Sequence, residues 1–335
     1  MRQDIGYQFV RELAAFWAIT DDRAVWYSDG FDWWPGSHRL SVRVSEGIEI
    51  DGNTNFKVTL RTELLESVHS ENDQLPSILR VIMNGAPSYT VDHLDSDCRA
   101  AMGVGPGERP IALVSTVYIR EDNLAWTPRF IAGTGILQAY DAQRLAVAMA
   151  EQLGVKPAVS GPNGPPLATV DESLFAIEHH FVPAGQEPSR WAGSGEFEEI
   201  AERLPEDQFF VNADKTGLSL ELAFGSDTAL IELHTSQPHP VLGHGLLTTL
   251  KLPFEVDGEY SLEPCFYAQM EVMNDAPLPL LGSWTIWERG ESRWVMAYSS
   301  FIPNIIHQPN LALNQALWMI GRARWVKDKF FPEMA

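Results

Sequence analysis

A five-residue phrase occurs twice in this chain, as Met83-Asn84-Gly85-Ala86-Pro87 and as Met273-Asn274-Asp275-Ala276-Pro277. The two copies lie 190 positions apart, counted from Asn84 to Asn274. At the same displacement, Val58-Thr59-Leu60-Arg61 faces Thr248-Thr249-Leu250-Lys251. These matches predict a tandem duplication, in which each half of the chain folds into a similar domain.

The phrase itself has the chemistry of a helix end. Asn84 and Gly85 can each adopt the left-handed conformation that terminates a helix, and Pro87 has no amide proton with which to continue one. The apolar residues before it recur at helical spacing, at Leu75, Ile78, Leu79 and Ile82. We therefore interpret the phrase as a helix stop that is used twice, and treat Asn84 and Asn274 as minor candidates for site residues.

Apolar periodicity predicts the elements of the first half. Residues 7–17 have the spacing of a helix with one apolar face, and alternating apolar residues predict an antiparallel sheet that is wet on one face. Strands are predicted at residues 24–27, 39–44, 56–64, 111–119 and 124–132. A second helix is predicted over 75–82, and a last one from Asp141, its N-cap, to Gly154.

The second half repeats this order. A helix is predicted over residues 197–204, a short helix before Met273, and a final helix over 310–327. Strands are predicted at residues 217–224, 228–234, 246–254, 282–288 and 292–300. Downstream the displacement becomes 168, so that Trp126 faces Trp294 at a predicted strand position in each half. The change from 190 to 168 predicts an insertion of 22 residues in the first half, at about 88–109.

The predicted fold class is therefore α+β, with two similar domains in tandem. Each domain is expected to run helix, three strands, helix, two strands and helix, with an antiparallel sheet packed on the helices. The predicted domains are residues 1–154 and 196–335. Between them, residues 155–195 form a connector rich in proline and glycine, which we expect to be extended and unpacked. A capping-box pattern at residues 169–172 predicts a short helix over 171–180 inside this connector.

Composition excludes several classes of partner. The chain of 335 residues has 45 acidic and 24 basic side chains, for a formal charge of −21, which disfavours nucleic acid and anionic lipid. It has no long apolar run and no signal-peptide pattern, so we expect a cytoplasmic protein. Cys98 and Cys265 do not suggest a disulfide framework. We expect a monomer or homodimer, without a cofactor.

Three histidines offer the best pattern for a metal site. His234, His239 and His244 cross a turn at spacings of five, and Glu232 offers a carboxylate beside them. Spacings of five do not align side chains on one face of a regular element, so solvated turn histidines are the alternative interpretation. His179 and His180 have the same difficulty, since neighbouring helical residues point in different directions. No metal site is therefore predicted.

Catalytic signatures fail on inspection. Residues 193–195 read Gly-Ser-Gly without the spacing of a nucleophile elbow, and the glycines at residues 103–107 precede neither a lysine nor a helix start.

Trp33 and Trp34 are adjacent before Pro35-Gly36. Because adjacent strand residues point to opposite faces, one of the two rings is expected to be exposed, which makes the pair an interface candidate. The alternative is that the loop folds both rings onto the sheet.

The element order and the acidic composition resemble the type III secretion chaperone-like fold, which those chaperones share with the YbjN-like proteins. The resemblance covers both halves and implies two-layer domains that bind polypeptides, commonly as dimers of small acidic subunits. A tandem chain would supply both members of such a pair. We therefore expect a non-enzymatic polypeptide-binding or chaperone-like protein. The alternative is an enzyme, or a small-ligand or metal-binding protein, with a site between the domains near His234, His239 and His244.

Overall fold

A computed structural model describes residues 5–50, 52–68, 74–85, 89–92, 109–164, 171–205, 208–225, 227–256, 262, 264–265, 267–269, 278–288 and 294–330. The chain forms two compact units, which divide mainly between Ile177 and Glu178, within the predicted connector. Unit 1 consists of Met1–Leu79, Tyr89–Ile177 and Pro279–Leu281, and unit 2 of Arg80–Ser88, Glu178–Leu278 and Gly282–Ala335. Each unit therefore includes a short segment from the other half of the sequence.

The first half contains four helices and seven strands among its described residues. The helices are α1 (Ile5–Phe16), α2 (Leu75–Asn84), α3 (Thr127–Leu153) and α4 (Glu172–Ala176). The strands are β1 (Ala24–Tyr27), β2 (Gly30–Trp33), β3 (Leu40–Val44), β4 (Ile48–Ile50), β5 (Asn53–Val68), β6 (Thr90–Asp92) and β7 (Arg109–Ile119). Helix α2 ends at Asn84, as the phrase predicts.

Unit 1 is an antiparallel sheet packed on helices. Its strand order is β1-β2-β3-β5-β7-β6, and β4 forms a hairpin with the start of β5. Helix α3 packs on β5 and β7, and α1 packs on α3. Along β5, Val58 and Leu60 are fully buried while Lys57 and Thr59 are partly exposed, so the predicted alternation is confirmed. Leu60 faces Gly135 of α3, where the small residue allows close packing.

The second half contains three further helices and six strands among its described residues. The helices are α5 (Val182–Gln186), α6 (Glu196–Arg203) and α7 (Leu311–Phe330). The strands are β8 (Phe209–Asp214), β9 (Gly217–Phe224), β10 (Asp227–His234), β11 (Gly245–Val256), β12 (Ser283–Glu288) and β13 (Trp294–Pro303). Residues 264–265 and 267–269 are helical, while the second copy of the phrase lies outside the described residues.

Unit 2 has the same sheet topology as unit 1. Its order is β8-β9-β10-β11-β13-β12, and all neighbours are antiparallel. Strands β5 and β11 occupy the same place, as the 190-residue displacement predicts: Leu60 pairs with residues of β3 and β7, and Leu250 with residues of β10 and β13. Helix α7 packs on β10 and β11, and α6 packs on α7. The predicted α+β class with two similar sheet-bearing regions is confirmed.

Each half has more strands before its second helix than the three that were predicted. Strands β2 and β4 in the first half and β8 in the second were not predicted. Strand β2 reads Gly-Phe-Asp-Trp, and all four residues are buried, so it lacks the alternation of a half-exposed strand. A four-strand meander, β1-β2-β3-β5 or β8-β9-β10-β11, therefore forms the larger part of each sheet.

The prediction of a strand at residues 124–132 is wrong, because α3 begins at Thr127. Asp141 is consequently inside the helix and does not cap it; its carboxylate accepts a hydrogen bond from the Tyr89 hydroxyl. The misleading pattern has a physical cause. Residues 130–139 of α3 are all buried, so the sequence is apolar all round and lacks a helical stripe. Short apolar runs of this kind do not distinguish a buried helix from a buried strand.

The prediction that Trp126 and Trp294 are equivalent, which rests on the displacement of 168 residues, is wrong for the same reason. Trp126 precedes α3, whereas Trp294 begins β13, so the two residues do not occupy equivalent strand positions. Topology pairs β7 with β13 and β6 with β12. Strand β6 lies within the predicted insertion at 88–109, so that stretch is not wholly extra; residues 93–108 lie outside the described part of the chain.

The start of the predicted connector is packed and not free. The Ala158 amide donates to the Leu64 carbonyl at 2.8 Å, and the Ser160 amide donates to the Ser37 carbonyl at 2.9 Å. Residues 156–160 therefore lie along the end of β5 in unit 1. The predicted short helix is confirmed as α4, with Asp171 as its N-cap accepting from the Leu174 amide.

Candidate functional site

Exposed aromatic side chains collect where α1 passes the β1–β2 hairpin of unit 1. Tyr7 on α1 is 58% exposed and Trp26 on β1 is 46% exposed. Both line a groove of about 790 Å³, together with Val10, Val44 and Phe56. Its volume is within the range of sites that hold ligands, and exposed aromatic rings are enriched where proteins bind partners. This aromatic groove therefore combines a concave shape with exposed aromatic rings on unit 1.

The groove follows an open sheet edge. Among the described residues, β1 pairs with β2 alone, in the register Val25 to Asp32. Just outside the two strands, the Trp34 amide donates to the Arg23 carbonyl, so Val25 and Tyr27 are the residues of β1 that exchange hydrogen bonds with β2. The amide and carbonyl groups of Ala24 and Trp26 consequently point away from β2, where a further strand could receive them.

An ion pair with a buried carboxylate holds the hairpin in place behind this edge. Asp32 on β2 is almost fully buried, and its carboxylate accepts from Arg43 Nη2 at 2.7 Å and from the Tyr27 hydroxyl at 3.3 Å. The Arg43 guanidinium also lies 4.3 Å from the centroid of the Tyr27 ring. These contacts tie β1, β2 and β3 together, so the open edge is presented by a fixed strand.

Carboxylates outnumber cations around the aromatic groove. Asp29 and Glu46 line it and are exposed, and Arg11 is the basic residue in its wall. Asp21 precedes β1 and accepts a hydrogen bond from Trp26 Nε1 at 3.2 Å. The groove therefore has a negative rim around an aromatic floor, which favours ligands that combine basic and apolar groups.

Trp33 and Trp34 lie away from the surface. Trp33 is 1% exposed and stacks on Trp17 with ring centroids 4.8 Å apart, while Trp34 is 4% exposed and donates from Nε1 to Ser160 Oγ. The expectation that one ring is exposed is wrong, and the alternative that the loop folds both rings back is confirmed. The chain turns after β2, and Ser160 contacts the second ring. Without an exposed ring, the reason for proposing this pair as an interface is removed.

The three histidines do not converge. His234 ends β10, whereas the His239 Nδ1 accepts from the amides of Val241 and Leu242 within its own turn. The His244 amide donates to Gly185 of α5. The described part of the chain contains no group of three His, Cys, Asp or Glu side chains that could hold a metal ion. Burial also raises the pKa of the Cys265 thiol, which makes it a poor nucleophile or ligand.

His234 instead lines a polar groove on the sheet of unit 2. This polar groove has a volume of about 430 Å³ and includes Glu232, Lys251 and Trp287. Lys251 Nζ lies 2.6 Å from Glu232 Oε2 and 5.5 Å from the centroid of the Trp287 ring. Burial lowers the pKa of His234, partly opposed by the nearby Glu232, so its ring is neutral at pH 7. Of this set, the sequence pattern suggested His234 and Glu232.

Trp26, Tyr7, Lys251 and Trp287 were not predicted as site residues. Trp26 and Tyr7 belong to elements that were predicted correctly, but nothing in the sequence shows that the two rings face one groove. Lys251 and Trp287 are separated by 36 positions and meet because β11 and β12 flank β13. A tryptophan in a correctly predicted strand was the available signal in both cases.

Comparisons with protein-family models, with curated proteins and with solved structures gave no match. Within the described ranges, no helix combines the length and the hydropathy needed to cross a bilayer.

Proposed function

We propose that this protein binds an extended segment of another polypeptide along the open edge of β1. The observation that carries this proposal is the coincidence of that edge with the aromatic groove. A strand added beside β1 would receive the outward hydrogen bonds of Ala24 and Trp26, and its alternate side chains would enter the groove beside Tyr7. The negative rim favours a segment with basic residues.

The second unit supports the proposal, because its equivalent strand has similar features. Strand β8 takes the place of β1 at the end of its sheet, and no described strand pairs with its outer side. Phe210 on this strand is 69% exposed, although aromatic side chains are usually buried. Each half of the duplication thus offers one edge strand with an exposed aromatic ring.

The resemblance to type III secretion chaperone-like and YbjN-like proteins leads to the same function. In both units an antiparallel sheet packs on helices, which agrees with the two-layer domains that the resemblance implies, although each half has more strands before its second helix than the predicted order. We propose a tandem member of this fold that acts in the cytoplasm, as a monomer or a homodimer, without a cofactor. The alternative of an enzyme or metal protein rests on His234 alone, since His239 and His244 lie elsewhere.

The proposal is tested with a partner recovered from native lysate at low salt and identified by mass spectrometry. Overlapping peptides that cover this partner locate the bound segment, and titration gives its Kd. We expect Trp26→Ala to weaken binding about tenfold or more, as removal of a central aromatic does. Phe175→Ala on α4, which removes an exposed ring outside the groove, is the control and leaves Kd unchanged.

A modified peptide tests the strand-addition mode separately. Methylation of alternate backbone amides removes the donors that pair with β1 and leaves the side chains intact, so we expect binding to be lost in one of the two methylation registers. The proposal is contradicted if the two methylated peptides bind with the same affinity as each other. It is also contradicted if Trp26→Ala binds the partner as tightly as the unmodified protein, or if no partner is recovered above background.

A further inference from the structure

A row of polar side chains crosses the sheet of unit 2, and its part from Asn212 to Thr249 lines the polar groove. Strand register places these residues side by side across the sheet, on the face opposite Leu250 and Ile231. From the edge at β8 to the edge at β12, the row reads Asn212, Ser219, Glu232, Thr249, Ser299 and Ser283. A sheet face that is merely solvated does not need hydroxyl groups at its buried positions.

Two hydroxyl groups in this row are buried without a partner. Thr249 lines the groove and is 1% exposed, and its Oγ1 has no hydrogen-bond partner among the described residues. Ser299, its neighbour on β13, is fully buried, and its Oγ also has no hydrogen-bond partner among the described residues. A buried hydroxyl group that stays without a hydrogen-bond partner is unfavourable. The Thr249 hydroxyl, which belongs to the groove lining, therefore points to a ligand with hydrogen-bonding groups.

The charged groups of the groove are one ion pair and one further carboxylate, that of Asp214. Glu232 and Lys251 form an ion pair at 2.6 Å, with each side chain about one-third exposed, at 34% and 35%. His234 beside them is neutral, and the whole chain is strongly acidic. The groove therefore offers no uncompensated positive charge for a phosphate or carboxylate. Its ion pair can still accept and donate hydrogen bonds to a neutral ligand.

An aromatic ring forms one wall of the same groove. Trp287 on β12 pairs with Val295 of β13, and its half-buried ring has its centroid 5.5 Å from Lys251 Nζ. The face of an indole ring is electron-rich and apolar, so it attracts the weakly positive C–H groups of a saturated ring. Polar side chains line other parts of the groove, namely Asn212, Asp214, Thr216, Ser219, Ser236 and Gln237.

We propose that the polar groove of unit 2 binds a neutral carbohydrate. A sugar ring presents C–H groups on its faces and hydroxyl groups around its rim, which match Trp287 and the hydroxyl row respectively. The volume of about 430 Å³ lies within the range of small-molecule sites. This site is separate from the β1 edge of unit 1 and does not depend on polypeptide binding.

Titration calorimetry with cellobiose, maltose and lactose tests the proposal on the full chain. We expect saturable binding of at least one of these neutral disaccharides at millimolar concentration or below. Thr249→Val has nearly the same shape and is expected to weaken binding about fivefold, through loss of one hydrogen bond. Trp287→Ala is expected to weaken it about tenfold or more. Trp325→Ala on α7 lies outside the groove and serves as the matched control.

An anionic sugar and the unit 1 variant complete the test. Galacturonic acid is expected to bind more weakly than the neutral disaccharides, because the groove has no uncompensated positive charge and the Asp214 carboxylate lines it. Trp26→Ala is expected to keep the affinity of the unmodified protein. The proposal is overturned if none of the three disaccharides binds, if galacturonic acid binds in preference to them, or if Thr249→Val and Trp287→Ala both bind as tightly as Trp325→Ala.

Discussion

Single buried polar residues fix the packing of helix on sheet in unit 1. Gln138 of α3 is fully buried; its Nε2 donates to Thr62 Oγ1 and to the Leu113 carbonyl, and its Oε1 accepts from Ser115 Oγ. One side chain thus joins α3 to both β5 and β7. In unit 2, Arg322 of α7 packs instead on the Tyr298 ring of β13. The two units therefore share a topology but differ in the polar residues of their cores.

His38 gives unit 1 a dependence of stability on pH. Burial lowers its pKa from 6.5 to about 4, because the charged imidazole would lose hydration. Between these values the unfolded chain binds a proton that the folded chain does not. The contribution of His38 to the free energy of unfolding is therefore complete above pH 6.5. It decreases by about 3 kcal/mol as the pH falls from 6.5 toward 4.

The measurement is urea unfolding of the unmodified protein and of His38→Gln at pH 7 and at pH 4.5. We expect the variant to be less stable at pH 7 but to lose less stability between the two pH values. If both proteins lose the same amount, His38 is not the source of this pH dependence.

At the scale of elements, close backbone approach decides where the short helix α5 can lie. A Cβ atom on Gly185 would meet the Leu242 carbonyl oxygen at 1.7 Å, in the loop between β10 and β11. The His244 amide of the same loop donates to the Gly185 carbonyl at 2.8 Å. The segment after residue 178 is thus fixed to the sheet of unit 2 by a contact that only glycine permits.

Gly185→Ala is expected to destabilise the protein by about 2–4 kcal/mol, because the backbone must separate to admit a methyl group. Thermal or denaturant unfolding measures this change. Gly321→Ala in α7 is the matched control, since its new methyl group would meet only the flexible end of Leu278, and it is expected to cost little. A comparable effect of the two substitutions would contradict the packing argument.

At the scale of the whole molecule, the two halves of the sequence and the two structural units differ in the residues around the duplicated phrase. Residues 80–88 belong to unit 2, and residues 279–281 belong to unit 1. Within unit 2, Thr285 Oγ1 donates to Asn84 Oδ1, and the Arg80 guanidinium lies 5.3 Å from the Trp294 ring centroid. Within unit 1, Thr116 and Leu280 exchange backbone hydrogen bonds at 3.0 and 2.9 Å.

Asn84→Ala tests whether unit 2 depends on the first half of the sequence. The substitution leaves the buried Thr285 hydroxyl without its acceptor and is expected to cost about 1 kcal/mol. Amide hydrogen exchange followed by mass spectrometry should show faster exchange in β12 and β13. Val81→Ala, at an exposed position of α2, is the control, and unchanged exchange in these strands would refute the assignment of Asn84 to unit 2.

The spacing of apolar residues predicted the elements that have one buried face and one solvent-exposed face. Strand β5 and helices α1, α2, α6 and α7 have one wet face, so their apolar spacing could be read directly. Strand β2 and the first turns of α3 are buried on all sides, and their sequences carry no such period. The same limit applies to the sites: His234 and Glu232 are two positions apart on one strand, whereas Tyr7 and Trp26 come from separate elements.

The sequence by itself determined the class of the fold and the helix end at Asn84, because each depends on residues that are close along the chain. Only the tertiary structure decided the strand order, the burial of Trp33 and Trp34, the separation of the three histidines and the exchange of residues 80–88 and 279–281 between units. These features depend on contacts between distant segments. Many compact arrangements satisfy the same local pattern, and packing and hydrogen bonding over the whole chain select one of them.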